Sequence, residues 1–301
     1  MPGDLWARAD SRLARLGLTR GMLVRRLVRL GHPRLRAWDA RIQASPALTR
    51  LLQPARRWLN AGAIQIPSGL AHGMWLSKAD LPLSHAHLGS LAFGNLETSV
   101  QEAMLRHLAP GDVFYDLGAN LGFFALLGAR LVGERGRVFA FEPAPANAAA
   151  IHRNIELNGL TQVEVLEQAV SERAGKGRLQ VVDDQSWSKL AEYGPHPDTQ
   201  AVLDVELVCI DDLVAGQRLP PPHMVKLDVE GAEIAALRGM HATVAAYRPS
   251  IICELHDTHG PFLELMRSWG YRVINVEGAG PIEEAGPSAH ALALPADDPG
   301  D

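Results

Sequence analysis

From Glu97 onward the spacing of apolar positions switches between two periods. Glu97–Leu108 sets Val100, Met104 and Leu108 on one helical face, and Pro110-Gly111 stops it. Val113–Tyr115 is a short apolar strand ending at Asp116, and Phe123–Leu131 has helical spacing. Val138–Phe141 predicts a second strand ending at Glu142, and Asn147–Asn158 a second helix closed by Gly159. Val163–Leu166 is a third strand and Met224–Leu227 a fourth, ending at Asp228. Ala232–Met240 reads as a helix, Ile251–Leu255 as a fifth strand, Pro261–Trp269 as a helix and Tyr271–Val276 as a sixth strand. Such alternation predicts an α/β fold: a Rossmann-like, doubly wound, mostly parallel sheet covered on both faces. Residues 177–213 break the pattern, and Gly177–Val182 with Ala201–Val208 predict an inserted hairpin. In the Gly/Pro-rich stretch from Gly278, Ala291–Leu294 is a candidate edge strand.

Ahead of this body the pattern differs. Residues 61–96 are spaced by Gly and Pro and read as a lead-in of loops and short strands. Residues 1–60 interleave leucines with thirteen arginines against three acids, a net +10, while the rest carries sixteen bases and thirty-one acids. That predicts an N-terminal Arg-rich helical extension with three open readings: helices packed with Arg outward, a membrane-surface helix, or a cleaved transit peptide. No recognition motif accompanies the basic residues and the body is acidic, so nucleic acid is not an expected partner. The organisation expected is thus an extension 1–60, a lead-in 61–96, a domain 97–295 and a flexible tail 296–301. No stretch reaches the roughly 18 apolar residues of a membrane span. Two cysteines, Cys209 and Cys253, exclude a disulfide scaffold and a four-cysteine zinc site. The expected location is cytoplasmic, with residues 1–60 as a candidate peripheral membrane contact. The excess of arginine over lysine, 25 against 4, points to a GC-rich bacterial genome.

The sharpest chemical signal is the turn Asp116-Leu117-Gly118-Ala119-Asn120-Leu121-Gly122, which leaves a strand and opens a helix. Small residues let a backbone approach a ligand, and a helix N-terminus offers free N–H donors. Twenty residues past Gly122, Glu142 ends the next strand, where a carboxylate suits ribose hydroxyls. The G-x-G-x-x-G spacing of dinucleotide sites is absent. Asp116 at the strand end is unfavourable beside a pyrophosphate and acceptable beside the cationic amino-acid end of S-adenosylmethionine (SAM). The charge favours SAM over NAD.

These residues resemble a known family. Asp-Leu-Gly-Ala-Asn-Leu-Gly-Phe-Phe from Asp116 and Val-Phe-Ala-Phe-Glu-Pro-Ala-Pro from Val138 are similar to the FkbM-type SAM-dependent methyltransferases. Val225-Lys226-Leu227-Asp228-Val229-Glu230-Gly231-Ala232-Glu233 matches that family's characteristic block. Gly94-Asn95-Leu96-Glu97 and Ile252-Cys253-Glu254-Leu255-His256 are smaller matches. The resemblance spans about residues 90–276. It implies a class I methyltransferase fold, SAM as donor, and O-methylation of a hydroxyl on a sugar, glycan or secondary metabolite. Carried over, it implies that Asp116, Gly118, Asn120 and Gly122 cradle the methionine part and Glu142 holds the ribose. Gln168 and Ala169 would lie beside the adenine, and Glu97 near the amino-acid end or simply at a helix start.

A methyl sulfonium is already activated, so alignment of the acceptor oxygen and a base for its proton are the main needs. Asp228 and Glu230 leave the fourth strand, and Glu254 and His256 the fifth, at the strand ends where ligands of open α/β sheets sit. These four are the catalytic candidates, 228 with 230 and 254 with 256 sharing a face if extended. Lys226 is placed to pair with Asp228, and Asp228 or Glu230 to cap the following helix. Asp228 with Glu230 or Glu254 offers hard oxygen ligands, and His256 with His259, or His85 with His87, are partial metal sets. None is complete, so a divalent metal is not expected. The polar segment Asp183–Lys189, with Trp187, is a lid or a solvated hairpin tip. Other readings are a non-catalytic module of the same fold tethered by the basic arm, and a nicotinamide-dependent oxidoreductase.

Overall fold

The computed structural model describes residues 62–77, 91, 94–182, 188–195, 197–278 and 280–296. The Arg-rich extension, His85, His87, residues 183–187 and the last five residues lie outside these. The chain divides into two compact units at Gly94/Asn95. In the first, β1 (Ala63–Gln65) and β2 (Trp75–Ser77) form an antiparallel pair. No helix among the described residues is long and apolar enough to cross a membrane.

The second unit begins with helix α1 (Thr98–His107) and strand β3 (Val113–Leu117). Then come α2 (Phe123–Val132), β4 (Arg137–Phe141), α3 (Pro145–Asn158) and β5 (Val163–Leu166). A short β6 (Ala169–Val170) leads to β7 (Gly175–Val182), β8 (Lys189–Leu190) and β9 (Thr199–Val208). Helix α4 (Ile210–Ala215), β10 (Met224–Leu227), α5 (Glu233–Arg238) and α6 (His241–Tyr247) precede β11 (Ser250–His256). Helix α7 (His259–Ser268), β12 (Tyr271–Asn275) and β13 (Ser288–Pro295) complete it.

The main sheet has the order β12-β13-β11-β10-β3-β4-β5. All pairs from β11 to β5 are parallel, and β13 runs antiparallel to both its neighbours. This is the expected doubly wound sheet. Its order reverses between β3 and β10, where open α/β sheets hold ligands. The period of two divides its residues cleanly. Tyr115, Leu117, Phe139, Phe141, Val225, Leu227, Ile251, Cys253 and Leu255 share one apolar core, with Tyr115 and Phe139 edge to face at 5.4 Å. The alternate positions are apolar at Phe114, Met224 and Ile252 but polar at Asp116, Lys226 and Glu254. On that face the ring of Phe114 lies where a side chain on Gly128 of α2 would stand, so helix and strand pack closely.

Three elements depart from the sequence reading. The candidate edge strand is an interior one: β13 pairs with β11 over six residues and with β12 over five, so β12 forms the edge. The helix expected over Ala232–Met240 ends at Arg238, and a new helix starts at His241. At the break, a side chain on Gly239 would meet the Ser171 carbonyl, and Asp211 accepts hydrogen bonds from the N–H groups of Ala242 and Thr243. That carboxylate starts the second helix. The inserted hairpin is present as β7 and β9, extended by β6 and β8 into a four-stranded sheet. It has a small core of its own, with Ala144, Ala169, Leu179, Leu190, Val205 and Leu207.

Candidate active site

The turn after β3 is held by its own backbone. Gly118 and Ala119 both donate to the Phe141 carbonyl at 3.0 Å. Asn120 adopts φ 51°, a left-handed conformation that asparagine tolerates, and its N–H donates to Glu142 Oε2 at 2.8 Å. Ala144 N–H donates to Glu142 Oε1 at 2.8 Å, so Glu142 ties the turn to the next helix. The Asn154 side chain donates to the Leu121 carbonyl at 2.9 Å. Gly118, at φ 85°, is required for a reason that only the register of β3 and β10 reveals. A Cβ there would stand 1.8 Å from the Asp228 carbonyl oxygen, so its smallness first serves packing between these strands.

Asp116 is 1% exposed, and neither carboxylate oxygen has a well-formed hydrogen bond. Burial pushes its pKa up to about 7, against the pull of Lys226 and of the Ala125 N–H on α2. Burial likewise pushes Glu142 up to about 7, against the N–H groups of Ala144 and Asn120. Two oxygens buried in this way are costly unless something supplies donors. Gly122 caps α2 with no side-chain hydrogen bond, which leaves first-turn N–H groups facing the same turn.

Beside this turn, side chains from β10, β11 and β13 converge. Lys226 is buried, 3.0 Å from Asp228 Oδ2 and 4.6 Å from the centre of the Phe124 ring. Burial alone would lower its pKa, but Asp228, Glu97 and Asp116 hold it above the usual range. Burial opposes ionisation of Asp228 as well, yet Lys226 keeps its pKa low. His256 lies with Nδ1 2.9 Å from Glu233 Oε1, and Nε2 3.4 Å from Glu230 Oε2 and 3.6 Å from Glu254 Oε1. Burial would lower its pKa, but the bond to Glu233 and the neighbouring carboxylates raise it to about 9. Glu230 is pushed up to about 7 by burial, despite His256. Glu97 and Glu254 meet His290 of β13, the register partner of Glu254.

The structure therefore brings Asp228, Glu230, Glu254 and His256 together, and Asp116, Gly118, Asn120, Gly122 and Glu142 around one turn. Glu97 starts α1 without capping it and turns its carboxylate to His290. Gln168, half-buried, and Ala169 follow β5, and Ala169 opens the second sheet. Two expectations change. Residues 228 and 230 are not on an extended chain, because Glu230 sits at φ 50° in a turn. Neither caps α5: its first residue, Glu233, accepts from the Gly231 N–H at 2.8 Å. Glu97, Asn120 and Glu230 are three of the six non-glycine residues with positive φ among those described, and such strain concentrates at functional sites. Sequence reasoning missed Glu233, Glu277 and His290. Burial pushes the Cys253 thiol up, as befits a small core residue.

Compared with known families, residues 116–273 match the methyltransferase FkbM domain. The chain belongs to the FkbM methyltransferase family. It is similar to 31-O-demethyl-FK506 methyltransferase FkbM of Streptomyces tacrolimicus, 28% identical over 225 residues, covering 64% of this chain and 86% of that one. It is also similar to hexuronic acid methyltransferase AglP of Haloferax volcanii, 28% identical over 161 residues, covering 53% of this chain and 62% of that one. Among solved structures, methyltransferase FkbM from Methylobacillus flagellatus aligns with a TM-score of 0.43 at 16% identity, over 69% of this chain and 53% of that one. The FkbM match runs from the aspartate that opens the glycine turn to the edge strand β12. Glu97, Glu277 and His290 lie outside it.

Proposed function

We propose that this chain transfers the methyl group of SAM to a hydroxyl oxygen of a sugar, glycan or secondary metabolite, with Glu230 as the base. The observation that carries the reading is Asp116: a buried carboxylate at the head of the glycine turn, neither of whose oxygens has a well-formed hydrogen bond. The ammonium of an amino-acid moiety supplies the missing donors, and the residues present fit that group. Glu142 accepts from the N–H groups of Asn120 and Ala144 and faces the Asn147 side chain, which leaves acceptor capacity for a ribose hydroxyl. Gln168 and Ala169 are assigned to the adenine by the family resemblance alone. When bound, SAM supplies a methyl group already activated by its sulfonium.

The acceptor oxygen must lose a proton as its bond to carbon forms. Among Asp228, Glu230, Glu254 and His256, Glu230 is the side chain best placed to take it. Its side chain is the most exposed of the four, at 25%. Asp228 is bound to the Lys226 ammonium, and both ring nitrogens of His256 face carboxylates. A carboxylate raised to about 7 is also matched to accept a proton near neutral pH. His256 acts as a positioning residue for Glu230. The two relatives described above are, by their names, methyltransferases of 31-O-demethyl-FK506 and of a hexuronic acid, and they support an oxygen acceptor.

Methyl-tritiated SAM, offered with neutral glycosides, uronic acid glycosides and hydroxylated secondary metabolites, tests the reading. Label should enter an alkali-stable ether. The rate should rise with pH, about tenfold per unit while Glu230 is protonated, and level off above about 7. An alkali-labile methyl ester, or no transfer to any acceptor class, would contradict it.

A further inference from the structure

We infer that Glu97, Glu254 and His290 form a binding site for a divalent first-row transition-metal ion of the Zn2+ or Mn2+ kind, with Glu277 orienting the imidazole from behind. This set is distinct from the paired histidines and from the groupings around Asp228, and it stands whether or not the methyl-transfer reading holds. His290 is 4% exposed and lies opposite Glu254 across the β11–β13 pair. Its Nδ1 is 2.6 Å from Glu277 Oε1. A carboxylate on one ring nitrogen fixes the tautomer and turns the other nitrogen toward a ligand, the arrangement found behind metal-bound histidines.

That other nitrogen, Nε2, is buried and faces two carboxylates, Glu97 and Glu254. It is 3.0 Å from Glu97 Oε2 and 3.5 Å from Glu254 Oε2. The three atoms converge, and an ion bound between them would take the place of the imidazole proton that now faces the two carboxylates. Bonds of about 2.0–2.2 Å to one ion, at angles between octahedral and tetrahedral, set ligand atoms about 3–3.5 Å apart. One atom from each of the three residues lies within 4.8 Å of the other two. Two carboxylates balance a dication. The imidazole favours a transition metal over Mg2+ or Ca2+, and three protein ligands leave open positions.

A second group, Asp228, Glu254 and His256, is equally compact. An ion there would displace or oppose the Lys226 ammonium that already neutralises Asp228. Glu254 belongs to both groups, with Oε1 toward His256 and Oε2 toward His290. The ion site thus adjoins the base cluster through one side chain.

The test is metal uptake by the full chain after chelator treatment, by calorimetry with Zn2+, Mn2+ and Mg2+, and by the visible absorption of added Co2+. The expected result is one equivalent of Zn2+ or Co2+, with Mg2+ much weaker. Glu277→Gln should weaken binding by about 10–100-fold, and Glu97→Gln or His290→Gln by at least as much. Circular dichroism checks that each variant is folded, and Glu97→Gln carries the test if His290→Gln is not. Absence of Zn2+, Mn2+ and Co2+ binding overturns the inference. So does binding that survives in Glu97→Gln but is lost in Asp228→Asn, which would place the ion at the other group.

Discussion

Replacing Gly118 by alanine should leave the second unit largely unfolded at ordinary temperature. Its φ of 85° is unfavourable for any L side chain, at roughly 1–2 kcal/mol. The larger cost is steric: the new methyl would stand 1.8 Å from the Asp228 carbonyl oxygen and 2.9 Å from its carbon. Neither is the movable end of a side chain. Relief requires β10 to part from β3, where Lys226 pairs with Asp116, Leu227 with Leu117, and Asp228 N–H bonds the Leu117 carbonyl at 3.0 Å. A loss of about 4 kcal/mol or more is expected, in the range reserved for few mechanisms. Two other glycines separate the contributions. Gly159→Ala, left-handed at φ 63° and ψ 32° with nothing within 4 Å, carries the conformational cost alone, about 1 kcal/mol. Gly122→Ala adds contact with the Ile151 side chain at 3.0 Å, which can yield, and should fall between them. Urea denaturation of the three variants checks the order; equal losses at Gly118 and Gly159 would remove the steric argument.

Glu230→Gln should lower kcat by about 10²–10⁴-fold, the usual contribution of a positioned base. The amide nearly keeps the shape of the side chain and cannot accept the hydroxyl proton. Binding of S-adenosylhomocysteine should change little, because Glu230 is not among the residues placed around the glycine turn. The rise in rate toward pH 7 should vanish with the same substitution. A residue with a merely structural role would move stability instead and leave the shape of the pH profile intact. A variant with wild-type kcat would return the base assignment to Glu254 or His256.

The parts of the site carried by local chemistry were readable in the sequence. An apolar run, a glycine-rich turn, a helix and an acid twenty residues on describe one β3–α2–β4 unit whatever surrounds it, so Asp116 and Glu142 stood out. Lys226 and Asp228 are two apart at a strand end, and the pairing follows from the period of two. Long-range register was not readable. His290 becomes part of the site only because β13 inserts between β11 and β12 and sets it against Glu254. A strand that follows Gly- and Pro-rich sequence carries no mark of which partners it will find. Glu277, in the segment between β12 and β13, is tied to the same event through His290. Glu233 reads as an ordinary acid in a first helical turn. Only the fold reveals that it is fully buried against His256. The strand end at Asp228 and the helix start at Ala232 bracket a connection over Val229-Glu230-Gly231, but they do not reveal that Glu230 takes the left-handed conformation in it.

Whether the glycine turn holds SAM is tested most directly by calorimetric titration with S-adenosylhomocysteine, with NAD as control. The predicted result is one-to-one binding of S-adenosylhomocysteine alone. Glu142→Ala should weaken it by about 10-fold or more, as expected for a hydrogen bond to a charged group at about 1.5–3 kcal/mol. Binding of NAD in place of S-adenosylhomocysteine, or an affinity for the latter that Glu142→Ala leaves unchanged, would contradict a SAM site at this turn.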